Sequence, residues 1–146
     1  MRWVIREASV ADSSAVARLS EQLGYPNTRD EIEGRMTMLL PSADHGVFVA
    51  EGDGREIVGW VHIMRRPLLI AGGTAEIGGL VVDERYRRKG VGKALIREAE
   101  HWASSRGYTT LVVRSNVLRH GAHGFYQSQG YRETKTQKVF VKQLET

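Results

Sequence analysis

The 146-residue chain contains no cysteine. That absence excludes a disulfide framework, a thiolate metal site and a cysteine nucleophile or acyl-cysteine intermediate, so any acyl transfer has to use other chemistry. A signal or anchor segment is lacking too. The opening residues Met1 to Glu7 carry Arg2, Arg6 and Glu7 around a short apolar run. They read as neither signal peptide nor membrane anchor, and a cytoplasmic protein without a membrane partner is expected. There is no internal repeat and no low-complexity tract. Nor does an aromatic-interleaved RNA motif or a zinc finger accompany the basic residues, so nucleic acid is not the expected partner. What is present is ordinary: 41% apolar and 26% charged residues, enough chain for one domain over residues 1–146 with one core. A net charge of +4 and a pI near 9.6 suit a compact anionic ligand, and serve solubility equally well.

Along the chain, residues 3–6 read as a short strand. Ser9 and Asp12 resemble a capping box before the helical stripe Val16, Leu19, Leu23 that Gly24 ends. Thr28 and Glu31 form a clearer capping box ahead of Ile32, Met36 and Leu39, stopped by Pro41. Residues 47–50 and 57–63 are β-rich runs joined by Gly52-Asp53-Gly54, an antiparallel hairpin. Pro67 and Gly72-Gly73 bound a connecting segment before a strand over residues 75–82. A helix with Val91, Leu95, Ala99 and Trp102 on one face then runs to Gly107, and residues 109–114 form another strand. Strand, helix, strand in that order predicts a right-handed crossover and a parallel pair. A short helix over 119–129, closed by Gly130, and one or two strands within 131–144 complete an α/β arrangement, a mixed sheet flanked by helices.

The chemistry concentrates between Leu80 and Leu95, where a buried strand turns through a basic, glycine-containing stretch into a helix. The first N–H groups of a helix have no intrahelical partner and sit at the positive end of its dipole, and glycine lets an anion approach the backbone, so this geometry binds phosphate. The ATP-binding loop would need glycine at Arg87 and Ser or Thr at Ala94. The dinucleotide fingerprint would need a third glycine at Leu95. Both fail. What remains, Arg87-x-x-Gly90-x-Gly92 after an apolar strand, resembles the acetyl-CoA signature of the GNAT superfamily, (Gln/Arg)-x-x-Gly-x-(Gly/Ala). The early helices, the hairpin, and the stretch Ser115-Asn116 to Ala122, Phe125-Tyr126 and Gly130-Tyr131 extend the likeness over nearly the full chain.

The resemblance implies a mostly antiparallel sheet whose one parallel pair splays near Gly78-Gly79, with the acetyl-CoA arm in the gap and the acceptor amine arriving from the opposite side. It implies that Leu80, Val81 and Val82 meet the pantetheine, Val82 through its backbone, with Asn116 helping from the second strand. The pyrophosphate would be held by Arg87, Arg88, Lys89, Gly90, Val91, Gly92 and Lys93, with some cations of the Arg85 to Lys89 run facing the phosphates. Amine attack on a thioester needs a neutral amine, a polarised carbonyl and a proton for the thiolate, with no covalent enzyme intermediate. By the same resemblance Tyr126 lies near the sulfur and protonates the thiolate. For the base, alternation places Glu76 on one sheet face with Gly78, Leu80 and Val82, where it would act through water. His62, His120 and His123, or a water chain, are the alternatives, and no metal is expected. Residues 119–126, 130–134 and 140–142 resemble small-molecule members such as aminoglycoside and aminoalkylphosphonate N-acetyltransferases. The expected function is therefore acetyl transfer to a small primary amine. Protein or peptide acetylation and a non-catalytic acyl-CoA-binding module stay open, and a homodimer through exposed final strands is reasonable.

Overall fold

A computed structural model describes residues 2–114 and 120–145. The chain divides into two compact units, Met1–Arg114 and Ser115–Thr146. In the first, the order is β1 (Val4–Glu7), α1 (Ser13–Gln22), α2 (Arg29–Leu39), β2 (His45–Glu51), β3 (Ile57–Leu68), β4 (Ala71–Val82), α3 (Val91–Ser105) and β5 (Leu111–Val113). The five strands lie in sequence order in one sheet, antiparallel throughout except for the parallel pair β4 and β5. This is the mixed sheet with one parallel pair that the strand, helix, strand order predicts.

Capping fixes the helix starts as the sequence indicates. Thr28 Oγ1 accepts from Glu31 N at 3.1 Å while Glu31 accepts from Thr28 N at 2.9 Å. Asp12 accepts from Ser9 N at 2.8 Å and from both terminal nitrogens of Arg6 at 2.9 Å, which ties the chain ahead of α1 to β1. One sheet face is covered by α3, whose Val91, Leu95, Ala99 and Trp102 are buried, as their helical spacing predicts. The other packs on α1 and α2, where Leu19 meets Val49, Ile57 and Val81, and Trp60 spans toward Val16, Ile32 and Met36. Full burial of a side chain such as Leu95 stabilises by about 1.5–3 kcal/mol.

Three expectations are corrected. The segment bounded by Pro67 and Gly72-Gly73 is not a separate connection, because β3 and β4 continue through it into one long hairpin. The ladder runs Arg66↔Thr74 and then Leu68↔Ala71, so Pro67, which has no N–H to donate, falls at an irregularity where none is asked of it. Strand β5 is shorter than residues 109–114. Finally, residues 131–145 form no strand. Their own unit offers α4 (His120–Ser128) but, among the described residues, no strand to pair with, and Val139, Phe140, Val141 and Leu144 are exposed. Among the described residues no helix is long and apolar enough to cross a membrane.

Candidate active site

Between β4 and α3 the chain makes a short 3-10 turn over Glu84–Tyr86 and then a tight reversal. Gly90 caps α3 with φ +88°, and Arg88 also has a positive φ of 62°. Side chains avoid this left-handed region at a cost of about 1–2 kcal/mol, which is why glycine stands at the cap. The first bond of α3 runs from Ala94 N to Gly90 O. The preceding N–H groups of Val91, Gly92 and Lys93 have no intrahelical acceptor and point out of the helix start. Arg88, Lys89 and Lys93 are exposed around them, and Arg87 Nε donates to Val82 O at 3.4 Å. Backbone donors, a helix dipole and exposed cations make a turn that fits a pyrophosphate.

Arg85 does not join them. Its guanidinium binds Asp83 and Glu56, and Tyr86 Oη donates to Glu56 at 3.0 Å. Asp83 is buried beneath the turn and accepts from Arg85 N at 3.1 Å, Arg85 Nη2 at 3.0 Å and Arg18 at 3.3 Å. Arg85 above all, then the Arg85 N–H and Arg18, hold this carboxyl at about 2 although burial acts the other way. Gln22 accepts from Glu84 N at 2.9 Å, joining α1 to the same turn. Of the basic residues at this turn, Arg87, Arg88, Lys89 and Lys93 thus make no ion pair among the described residues. This anchor is absent from the sequence reading, although an Asp whose side chain accepts an N–H two residues on is a familiar turn signal.

Strand β4 carries the second feature. His62 pairs with Gly79 but Ile63 pairs with Ile77, which leaves Gly78 as an extra residue, a β-bulge. Beyond it, pairing between β4 and β5 ends at Ile77↔Val113 among the described residues, although β4 runs on to Val82. The expected splay of the parallel pair near Gly78-Gly79 falls where the residues that follow Arg114 lie outside the described residues. The bulge also changes the faces. Leu80 and Val82 pair with Val61 and Gly59 on the α3 side, whereas Glu76 pairs with Met64 on the same face as His62 and Trp60. Glu76 therefore shares a face with Gly78 but not with Leu80 and Val82, because plain alternation fails across a doubled residue.

Glu76 is 5% exposed. Arg66 Nη1 donates to both of its oxygens at 2.9 and 3.0 Å, and Arg114 Nε donates to Oε1 at 3.0 Å. His62 lies near it on β3. Its Nε2 is 2.9 Å from His45 Nδ1, and burial first, then His45, pushes it down to about 4. Sequence reasoning names Glu76 and His62 but not Arg66, Arg114 or His45, which only strand register brings beside them.

In the second unit, α4 carries Tyr126 with its ring edge-on to Phe125 at 5.4 Å and to Tyr131 at 6.0 Å. Tyr126 is partly exposed, and Gly130, at φ +91°, ends the helix region. His120 and His123 lie on the same helix. Asn116 lies outside the described residues. Among the described residues no group of three or more His, Asp or Glu gathers as a metal site would require.

Comparison with known proteins matches residues 16–131 to the Acetyltransferase (GNAT) family. An aminoglycoside N(6')-acetyltransferase type 1 of Stenotrophomonas maltophilia is 30% identical over 145 residues, covering 97% of this chain and 94% of that protein. Among solved structures, AAC(6')-Iy in complex with the bisubstrate analogue CoA-S-monomethyl-acetylneamine superposes with a TM-score of 0.87 at 19% identity, covering 99% of this chain and 100% of that one. Glucosamine-6-phosphate N-acetyltransferase from Arabidopsis thaliana gives 0.84 at 22%, covering 97% and 99%. At those identities the structural likeness speaks for the fold, while the family match and the sequence relative speak for the chemistry. The chain thus belongs to the GNAT family of acetyltransferases and is an acetyl-CoA-dependent N-acetyltransferase.

Proposed function

We propose that this enzyme acetylates a primary amine of a small amino sugar of the aminoglycoside kind. The observation that carries the reading is the aminoglycoside-acetylating relative, which matches from end to end rather than over the cofactor motif alone. The family match runs across both compact units, which supports treating residues 1–146 as one domain.

In this reading the N–H groups from Arg87 to Gly92, with Arg87, Arg88, Lys89 and Lys93, hold the pyrophosphate. Leu80, Val81 and Val82 meet the pantetheine, Val82 by its backbone, and Asn116 assists from beyond β5. Acetyl-CoA supplies the thioester. A carboxylate has about four lone-pair positions, and among the described residues guanidinium N–H groups fill three on Glu76, so one position on Oε2 is left among them to orient the acceptor amine, directly or through water. Tyr126 gives its phenolic proton to the departing thiolate. The reading places the enzyme in the cytoplasm, with no membrane or nucleic-acid partner, and as a homodimer that would cover exposed Val139, Phe140 and Val141.

Thiol release from acetyl-CoA, measured against aminoglycosides, amino sugars, aminoalkylphosphonates, polyamines and short peptides, tests it. Turnover is expected with aminoglycosides, and Tyr126→Phe should lose about 10²-fold in kcat with acetyl-CoA affinity retained. Turnover confined to peptides would overturn the acceptor class, and an unchanged kcat in the variant would overturn the role of Tyr126.

A further inference from the structure

The sheet face that carries Glu76 holds a second polar unit that the assignment above leaves unused. His45 on β2 and His62 on β3 are diagonal neighbours, since His45 pairs with Met64 and Val47 with His62. Their rings stack at 5.2 Å between centroids and 22° between planes, with His45 Nδ1 2.9 Å from His62 Nε2. One of those nitrogens carries a hydrogen and the other a lone pair. On its far side the His62 ring covers the bulge, because a Cβ on Gly78 would stand 2.6 Å from His62 Nδ1. Glycine is needed there because the imidazole occupies the space. His62 Nδ1 thus faces the exposed bulge, one residue beyond the last described pair of β4 and β5 at Ile77, and has no partner among the described residues.

Position alone does not separate this pair from Glu76 as the place where the amine's proton goes. Onward transfer does. The contacts of Glu76 are guanidiniums, which only donate and do not release a proton in proteins, so a proton taken there has no protein path outward. An imidazole takes a proton at one nitrogen and releases one from the other.

Resting on the acetyl-transfer reading above, we infer that the His45 and His62 pair is the exit for the proton that the acceptor amine loses. His62 Nδ1 takes it as the amine nitrogen bonds the acetyl carbon and the carbon–sulfur bond breaks. The hydrogen on His62 Nε2 moves to His45 Nδ1, and His45 releases its own from Nε2 to solvent, after which solvent exchange restores both tautomers. The thiolate receives its proton separately, from Tyr126, which solvent reprotonates. His62 touches the reacting amine, and His45 is a positioning residue acting through it. The titratable and charged groups on this face, among the described residues, are Arg6 on β1, His45 and Glu51 on β2, Arg66 on β3, Glu76 on β4 and Arg114 after β5. Arg66 and Arg114 both bind Glu76, Arg6 binds Asp12 and Glu51, Asp44 is taken by Arg65, and the helices on this face present Val16, Ile32 and Met36. Burial, and then His45, keep His62 neutral at physiological pH, with its lone pair ready.

The test uses the full chain, His62→Gln and His45→Gln, with kcat followed from pH 4 to 9 on the best amine of the panel. Nitrogen-resolved NMR of the imidazoles, without substrate, accompanies it. His62→Gln should lower kcat about 10²-fold, keep the KM for acetyl-CoA within about twofold, and abolish the acid limb of the profile. His45→Gln should lower kcat roughly 10-fold and move that limb to higher pH, since His45 is one of the causes that hold His62 down. NMR should find His62 protonated on Nε2 at neutral pH. Parent-like kcat and pH profile in His62→Gln overturn the proposal, as does a hydrogen found on His62 Nδ1. The NMR result stands whatever the acceptor, so a parent inactive toward every amine counts against the acceptor reading and not against the pair.

Discussion

Replacing Asp83 by asparagine tests whether the phosphate-binding turn is anchored from below. Asp83 is 1% exposed and receives the Arg85 backbone N–H, the Arg85 guanidinium and Arg18. Those donors, Arg85 foremost, lower its carboxyl from 3.8 to about 2. At about 1.4 kcal/mol per pKa unit the depression corresponds to about 2 kcal/mol, an order-of-magnitude figure. Asparagine keeps the shape and one acceptor but not the charge, so this is the expected cost at pH 7. The sign of the pH dependence follows from the direction. A carboxyl lowered on folding contributes fully above its unfolded value of 3.8 and loses that contribution as the pH falls through about 2. Urea unfolding of parent and variant should show a gap of about 2 kcal/mol at pH 7 that shrinks steadily below pH 4. The KM for acetyl-CoA should rise several-fold at pH 7 with kcat retained. A variant as stable as the parent at pH 7, or a gap that does not narrow below pH 4, refutes the anchor.

Gly90→Ala meets no steric obstacle, the nearest atoms being Trp3 carbons at 3.6 and 3.7 Å, so its cost is the left-handed backbone, about 1–2 kcal/mol. Steady-state kinetics should show the KM for acetyl-CoA raised roughly 10-fold and the KM for the amine unchanged. Gly78→Ala places a methyl 2.6 Å from His62 Nδ1 and must push the ring aside. It should depress kcat while circular dichroism stays parental. Leu95→Ala empties a fully buried position under α3 and should cost about 2–5 kcal/mol in chemical unfolding, with the KM for acetyl-CoA little changed in the folded fraction.

The parts of this enzyme that were legible in its sequence are those written within a few residues. Thr28 and Glu31 meet across one helical turn. Arg87, Gly90 and Gly92 sit on one reversal, and the order of strand, helix and strand dictates the parallel pair. What escaped depends on register between distant segments. Arg66 and Arg114 reach Glu76 from 10 and 38 residues away, and His45 reaches His62 from 17. Nothing in Gly78-Gly79 marks which glycine is doubled, so alternation carries the parity of Val82 back to Glu76 and puts it on one face with Leu80 and Val82. Pro67 misled for a related reason. It reads as a strand breaker, yet the ladder skips it. The stretch 131–145 has the composition of a strand, but composition does not supply a partner.

The extra residue at Gly78 acts as a phase shifter within a single strand. Upstream, Glu76 looks toward the α1 and α2 side while Ala75 and Ile77 fill the core under α3. Downstream, even and odd positions have exchanged duties, so that Val81 packs on Leu19 while Leu80 and Val82 face the other way. Excising this one glycine would remove no contact-making side chain, yet it would turn the upstream half of β4 over. A carboxylate with two guanidiniums attached would be driven beneath α3, and two apolar residues would take its place beside His62 and Met64. In this protein the change that most damages the site is therefore a deletion rather than a substitution.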